Sequence, residues 1–391
     1  MARVLWAAQY CSCRLMALPI ALELQARGHQ VVVLSTPLGE EWFTRLGFDF
    51  VAERRTPPYD WGRRELRPLT PEEEVTVEGH KRWFVDRVPD QVADVMDALE
   101  SKPCDLVLSD FNLYGPVLAA EKAGLPSASY VTCFFDETRT DAEYWKRFWN
   151  PMRAAVGLGD DRRPIEEVTW WTVSADLDLM LGLPELVYRQ APLPPYVHRV
   201  GPTLWDPPVD GEVPGWLESL GRDRPAVLLS TSNAWQPDDE VVAKTATALV
   251  GADLDVVATL PSRQASPDMP SDVIVTGYFP HGLVFPKLSA IVCSGGPGIT
   301  NRAAACGVPM VAVPRNFRDK LTALGAARAG AAVVLDPDQF TPEAVRQAVE
   351  SVLGEPRFAD SAARLRQAAA RYDGARTGAD LIEDLLVGGR R

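Results

Sequence analysis

Ala290-Ile291-Val292-Cys293 runs without interruption into Ser294-Gly295-Gly296-Pro297-Gly298-Ile299-Thr300, and the reading of this junction decides the fold. Four apolar residues in a row fit a strand buried on both faces, as parallel sheets contain. Three glycines then allow the backbone to approach a ligand closely, and Pro297 suits the first position of a helix that runs through Cys306 to a stop at Gly307. Amide hydrogens at such a helix start, with the helix dipole behind them, favour an anion such as a phosphate. On these residues alone, a glycine-rich turn with no ligand explains the pattern equally well.

The same alternation extends outward on both sides. Strands are predicted over 226–230, 255–260, 273–276 and 310–313, with a helix over 241–250; the closing stretch, 358–386, reads as largely helical. In the first half, strands are predicted at 4–8, 31–34, 48–51 and 106–108, and a helix over 17–29 with Pro19 near its first turn and Gly28 as its stop. The Pro- and Gly-rich stretch 198–225 between the halves is the natural linker. Strands alternating with helices predict parallel sheets covered by helices, with the chemistry in loops at the carboxyl ends of the strands.

At 391 residues the chain exceeds the roughly 250–300 residues at which single cores stop growing, so two domains are expected. Hydrophobic residues at 46% and charged residues at 24% describe a globular protein. No apolar run reaches the roughly 18–20 residues that span a bilayer, and the start enters a strand without a basic leader, so a cytoplasmic location and no membrane partner are expected. A net charge of -13 repels nucleic acid, and a polyanionic small ligand has to be held by local dipoles and a few placed cations. Cys11, Cys13, Cys104, Cys133, Cys293 and Cys306 lack metal-type spacing, so reduced thiols and no metal site are expected.

Residues 277–335 resemble the donor-binding segment of family 1 GT-B glycosyltransferases, especially bacterial enzymes that decorate antibiotics. There the pattern runs roughly WVPQ, HGGxGT, GVPxVxxPxxxDQ. Here Tyr278-Phe279-Pro280-His281, Ser294 through Thr300, and Gly307-Val308-Pro309 through Asp319-Lys320 stand in the same order, with one extra residue between Pro314 and Asp319. Arg27-Gly28-His29-Gln30-Val31 and Cys104-Asp105-Leu106-Val107-Leu108-Ser109-Asp110 extend the likeness to most of the chain, weakest over 53–171. The resemblance implies an α/β GT-B fold, two doubly wound Rossmann-like domains facing a cleft: an acceptor domain over 1–205, a linker over 206–224, a nucleotide-sugar domain over 225–372, and a C-terminal helix over 373–391 crossing back to the first domain. It implies inverting transfer from a TDP- or UDP-sugar to a small aromatic or polyketide-like natural product, with no cofactor beyond the nucleotide-sugar co-substrate. Tyr278 would stack on the base, Ser232 and His281 would face the donor, and Gly295, Gly296, Gly298, Ile299 and Thr300 would hold the diphosphate beside Ser294. Asp319 and Lys320 would meet the sugar hydroxyls.

Several positions depart from that pattern. Cys13 stands where the family carries its catalytic histidine, and a thiol with a pKa near ~8.5 is a poor general base. Ser294 replaces a phosphate-contacting histidine, Ile299 a threonine and Lys320 a glutamine. Arg302 stands where many relatives carry a ribose-binding glutamate; it would either return charge to the phosphates or cover the outer helix face. Asp110 matches the family's histidine-orienting aspartate and is the candidate base, best suited to an acidic acceptor; the alternative is a strand-end carboxylate capping the next turn. Tyr144, Trp145 and Trp149, with Phe148, Trp170 and Trp171, offer a surface for a flat acceptor, or else fill the core or a homodimer interface. Loss of both histidines leaves a second function open, a GT-B-shaped protein that binds a partner or acts differently on a natural product.

Overall fold

The computed structural model describes residues 1–9, 13–56, 85–132, 142–161, 176–187, 192–208, 213–230, 239–260, 269–277, 279–314, 317–336, 338 and 340–389, without the side chains at 13, 142–148, 239–241, 317 and 318. The described strands form two sheets. The first takes β1 (Arg3–Ala7), β2 (Gln30–Ser35), β3 (Asp49–Ala52), β4 (Leu106–Asp110), β5 (Ser127–Val131), β6 (Leu177–Met180) and β7 (Val197–Arg199) in the order β3-β2-β1-β4-β5-β6-β7. The second takes β8 (Ala226–Ser230), β9 (Asp255–Thr259), β10 (Ile274–Thr276), β11 (Ala290–Cys293), β12 (Met310–Ala312) and β13 (Ala332–Val334) in the order β10-β9-β8-β11-β12-β13. Every pairing is parallel.

Helices cover both faces, which is why the central strands are mostly apolar on both sides, as in Val4–Ala7, Leu106–Leu108, Ala226–Leu229 and Ala290–Cys293. Around the first sheet run α1 (Cys13–Ala26), α2 (Glu40–Arg45), α3 (Val88–Ser101), α4 (Tyr114–Ala123) and α5 (Ala142–Ala155). Around the second run α6 (Gly215–Ser219), α7 (Asp239–Ala248), α8 (His281–Val284), α9 (Pro297–Cys306), α10 (Phe317–Arg328), α11 (Pro342–Gly354) and α12 (Pro356–Ala369), followed by α13 (Gly374–Gly388). On β1, Val4 and Trp6 enter the core beneath α1, and Leu5 enters the one beneath α3 and α4. Each sheet reverses its strand order beside its first strand, between β1 and β4 and between β8 and β11. Such switch points open a crevice at the strands' carboxyl ends.

Two expected boundaries moved. Helix α1 begins four residues earlier than read, so Pro19 falls in its second turn; Gly28, at φ +88°, ends it. The closing helical stretch is two helices, broken before the cap at Asp373, whose side chain accepts the Arg376 amide.

The two halves interlock. Ala379 and Ile382 of α13 are fully buried in the first domain's core, and a Cβ on Gly378 would stand 2.6 Å from Ile20 Cδ1, so α13 and α1 pack nearly backbone to side chain. In return, Leu183, Leu186 and Val187, which follow β6, are buried in the second domain's core. A Cβ on Gly325 of α10 would lie 1.7 Å from Leu186 O, and Asn301 of α9 accepts the Leu183 amide at 2.9 Å. Arg27 fastens α13 with contacts to Asp380 (2.6 Å) and Glu383 (2.7 Å), and His29 meets Glu383 at 2.8 Å. Arg27→Ala is expected to lower stability by about 1 kcal/mol, since solvent screens its partly exposed partners; urea unfolding measures this, and the loss should shrink in high salt.

Candidate functional site

Ser294, Gly295 and Gly296 leave β11 at the second sheet's switch point. Gly295 takes φ +76°, and a Cβ there would stand 2.9 Å from Ala323 Cβ and 3.2 Å from Asp319 O, so only glycine lets this loop close onto α10. Gly296 caps α9, and the first helical bond runs from the Thr300 amide to Gly296 O at 3.0 Å, leaving the Gly298 and Ile299 amides ahead of it. Among the described residues, nothing lies within 4 Å of where a Cβ on Gly298 would be. A Cβ on Gly296 would lie 3.5 Å from Asp319 Oδ1 and 3.6 Å from Ser294 Oγ, so the turn, Ser294 and Asp319 border one small space. Asp319, on the first turn of α10, is 3% exposed. Thr300 is fully buried and its hydroxyl makes no hydrogen bond among the described residues. Burial pushes the Cys293 thiol up to about 12, which makes it an inert floor. Lys320 turns to Asp336 at 2.9 Å, both side chains about two-fifths exposed.

At the first sheet's switch point, β1 and β4 lie side by side with Ala7 opposite Ser109. The start of α1 at Cys13 and the strand-end Asp110 therefore come from adjacent strands. Asp110 is fully buried, and its Oδ1 accepts the Asn112 amide at 3.0 Å, capping the turn toward α4. Ser109 Oγ steadies that turn by donating to the carbonyls of Asp110 (3.1 Å) and Leu113 (3.2 Å).

Residues 243–378 match the family described as Erythromycin biosynthesis protein CIII-like, C-terminal domain. The whole chain is similar to 4'-demethylrebeccamycin synthase of Lentzea aerocolonigenes, 28% identical over 94% of this chain and 95% of that one. A PGL/p-HBAD biosynthesis glycosyltransferase of Mycobacterium tuberculosis (strain ATCC 25177 / H37Ra) is 31% identical over 49% of this chain and 44% of its own. The spinosyn rhamnosyltransferase SpnG, in its structure with thymidine diphosphate, superposes with a TM-score of 0.74 at 20% identity, over 98% of this chain and all of that one; a further SpnG structure holds the spinosyn aglycone. The chain is a GT-B glycosyltransferase.

Other candidates in this glycosyltransferase found different uses. Arg302 does not cover the outer face: its guanidinium donates to Asp206 Oδ2 at 2.9 Å and to Trp205 O at 3.0 Å, on the chain that crosses between domains. The reason is proximity, since the crossing chain passes against α9 and supplies both a carboxylate and a carbonyl. Trp149 is a core residue rather than an acceptor surface. It is 3% exposed, stands edge-on to Tyr114 at 6.4 Å, and donates its indole N–H to Asp161 at 2.6 Å. Ser232, Tyr278, Trp170 and Trp171, and the side chains of Cys13, Tyr144, Trp145 and Phe148, lie outside the described residues. Asp206 escaped the sequence reading because nothing near it in the chain marks it.

His281, expected on the donor side, opens α8 with its ring 5.2 Å from Phe285. Burial first and then the Arg302 charge push its pKa down to about 4, against a smaller opposite pull from Asp206. A depressed base of this kind contributes stability that is present above the unfolded pKa near 6.5 and lost as pH falls through 4. Between pH 7 and 4.5 the loss attributable to His281 is about 2.5 kcal/mol. In His281→Gln, the drop in the urea midpoint over that interval should be correspondingly smaller than in the wild type.

Proposed function

We propose that the enzyme transfers a sugar, with inversion, from a thymidine diphosphate donor to a hydroxyl of a small natural product. One observation carries this reading: the Ser294–Gly296 turn, the first amides of α9 and the buried Asp319 border a common space at a sheet's switch point. Amides and helix dipole suit a diphosphate, the Thr300 hydroxyl can add a hydrogen bond, and Asp319 can accept from sugar hydroxyls. The thymidine diphosphate held by SpnG and the natural-product name of the full-length relative support the donor and acceptor classes. In the proposed step the acceptor oxygen attacks the anomeric carbon, the bond to the diphosphate oxygen breaks, and TDP leaves with the electron pair. Amides already aimed at that oxygen stabilise it without reorganisation. The acceptor proton passes to Asp110, or is already lost when the acceptor is acidic.

Calorimetry with TDP and UDP tests the donor half. TDP is expected to bind and UDP to bind more weakly; absence of binding by either nucleotide would remove the donor site from this turn. Reversal offers a second assay that needs no natural acceptor. With TDP and a 2-chloro-4-nitrophenyl glycoside, a TDP oxygen displaces the phenolate, whose colour reports turnover.

A further inference from the structure

A set of groups outside the proposed chemistry forms a continuous bridge between its two halves. Asp206 is gripped on the donor side: Arg302 of α9 meets it at 2.9 Å, the Gly282 amide of α8 donates to it at 3.2 Å, and a Cβ on Gly282 would stand only 2.6 Å from its carboxylate. One residue earlier, Trp205 meets Trp42 of α2 edge-on at 5.9 Å, and the Arg14 guanidinium covers Trp42 at 4.6 Å. Arg14 lies in the first turn of α1, next to Cys13. Two residues before Trp205, the Thr203 hydroxyl donates to the carbonyl of Met16, also on α1.

The crossing chain is therefore fastened to α1 at Thr203 and to α9 at Asp206. Three peptide units separate those points and span at most about 10 Å. The helix that closes the first βα loop and the helix that presents amides to the donor cannot part beyond that tether while the ion pair holds. With Arg302 only 12% and Asp206 25% exposed, the pair is shielded from solvent more than a surface bridge.

We propose that Arg302 is a positioning residue: through Asp206 it fixes the donor turn against α1 of the acceptor half, without touching the donor. This inference rests on the proposed donor site. Its test separates binding from turnover, using TDP by calorimetry and the 2-chloro-4-nitrophenyl glycoside in reverse. Arg302→Met keeps the apolar stem and removes the charge; kcat is expected to fall roughly 10- to 30-fold with TDP affinity held within about 3-fold, because small misplacement of reacting groups is costly. Asp206→Asn should show the same split, Arg302→Lys should recover most of the rate, and the double variant should be little worse than either single one. A parallel loss of TDP affinity would make Arg302 a donor ligand and overturn the proposal, as would an unchanged kcat in folded Arg302→Met. Amide hydrogen exchange needs neither donor nor acceptor. Gly282 should exchange at least about 10-fold faster in Arg302→Met while β11 stays protected. A wild type that neither binds TDP nor turns over the glycoside would sink the transfer reading alone; the tether would then stand on faster Gly282 exchange and fall on unchanged exchange.

Discussion

Gly296→Asp is expected to weaken TDP binding about 100-fold, close to 2.7 kcal/mol. The new carboxylate would enter a space already bordered by Asp319 Oδ1, 3.5 Å from the new Cβ. At an effective dielectric near 20, two such charges about 4 Å apart repel by roughly 4 kcal/mol, before a diphosphate adds its own negative charge. The 100-fold figure allows for rotation of the new side chain toward solvent. Gly296→Ala is the control, because the native φ of -61° suits any residue and the nearest atoms lie at ordinary contact distance. Calorimetry should find alanine near wild type and aspartate crippled, with both folded by circular dichroism. Undiminished TDP affinity in a folded Gly296→Asp would take the diphosphate away from this turn.

Asp110→Asn is expected to lower kcat by about 100-fold on alcohol acceptors, the usual range for loss of a general base. The substitution isolates charge from structure, since asparagine Oδ1 can still accept the Asn112 amide that Asp110 now holds at 3.0 Å. Loss should diminish as the acceptor becomes more acidic, because a phenol near its own pKa needs no base. Rates across a panel of alcohols and phenols should therefore converge between wild type and variant at the acidic end. Cys13→Ser should change kcat by less than about 3-fold, a loop cysteine being more often a small inert residue than a catalyst. The reverse pattern, with Cys13→Ser dead and Asp110→Asn active, would move the base to the thiol.

Periodicity carried the strands well because both sheets are covered on both faces: 226–230 was read as it stands in β8, and the turn before Pro297 announced a helix that begins there. Boundaries slipped where local signals competed, as at α1, where Pro19 suggested a first turn but sits in the second. The glycine-rich turn after β11 is legible for the same reason that it folds, since Gly295 takes φ +76° and lies against α10. Partnerships across the molecule were not. Arg302 and Asp206 lie on different elements, and no spacing rule foretells that a guanidinium will face a crossing chain rather than open solvent. Trp149 misled in the opposite way, since an aromatic on an amphipathic helix reads alike whether it faces a ligand or Tyr114.

The reciprocal burial of Leu183, Leu186 and Val187 in one core and of Ala379 and Ile382 in the other makes the boundary between the halves unlike a cut across a linker. Exchanging donor halves between related enzymes, the obvious route to new sugar specificity, would sever both insertions if the chain were spliced only at 206–224. A viable hybrid has to transplant 181–187 along with the second sheet and keep 374–388 with the first. Such a splice has four joints instead of one, with Gly325 matched to its Leu186 carbonyl and Gly378 to Ile20.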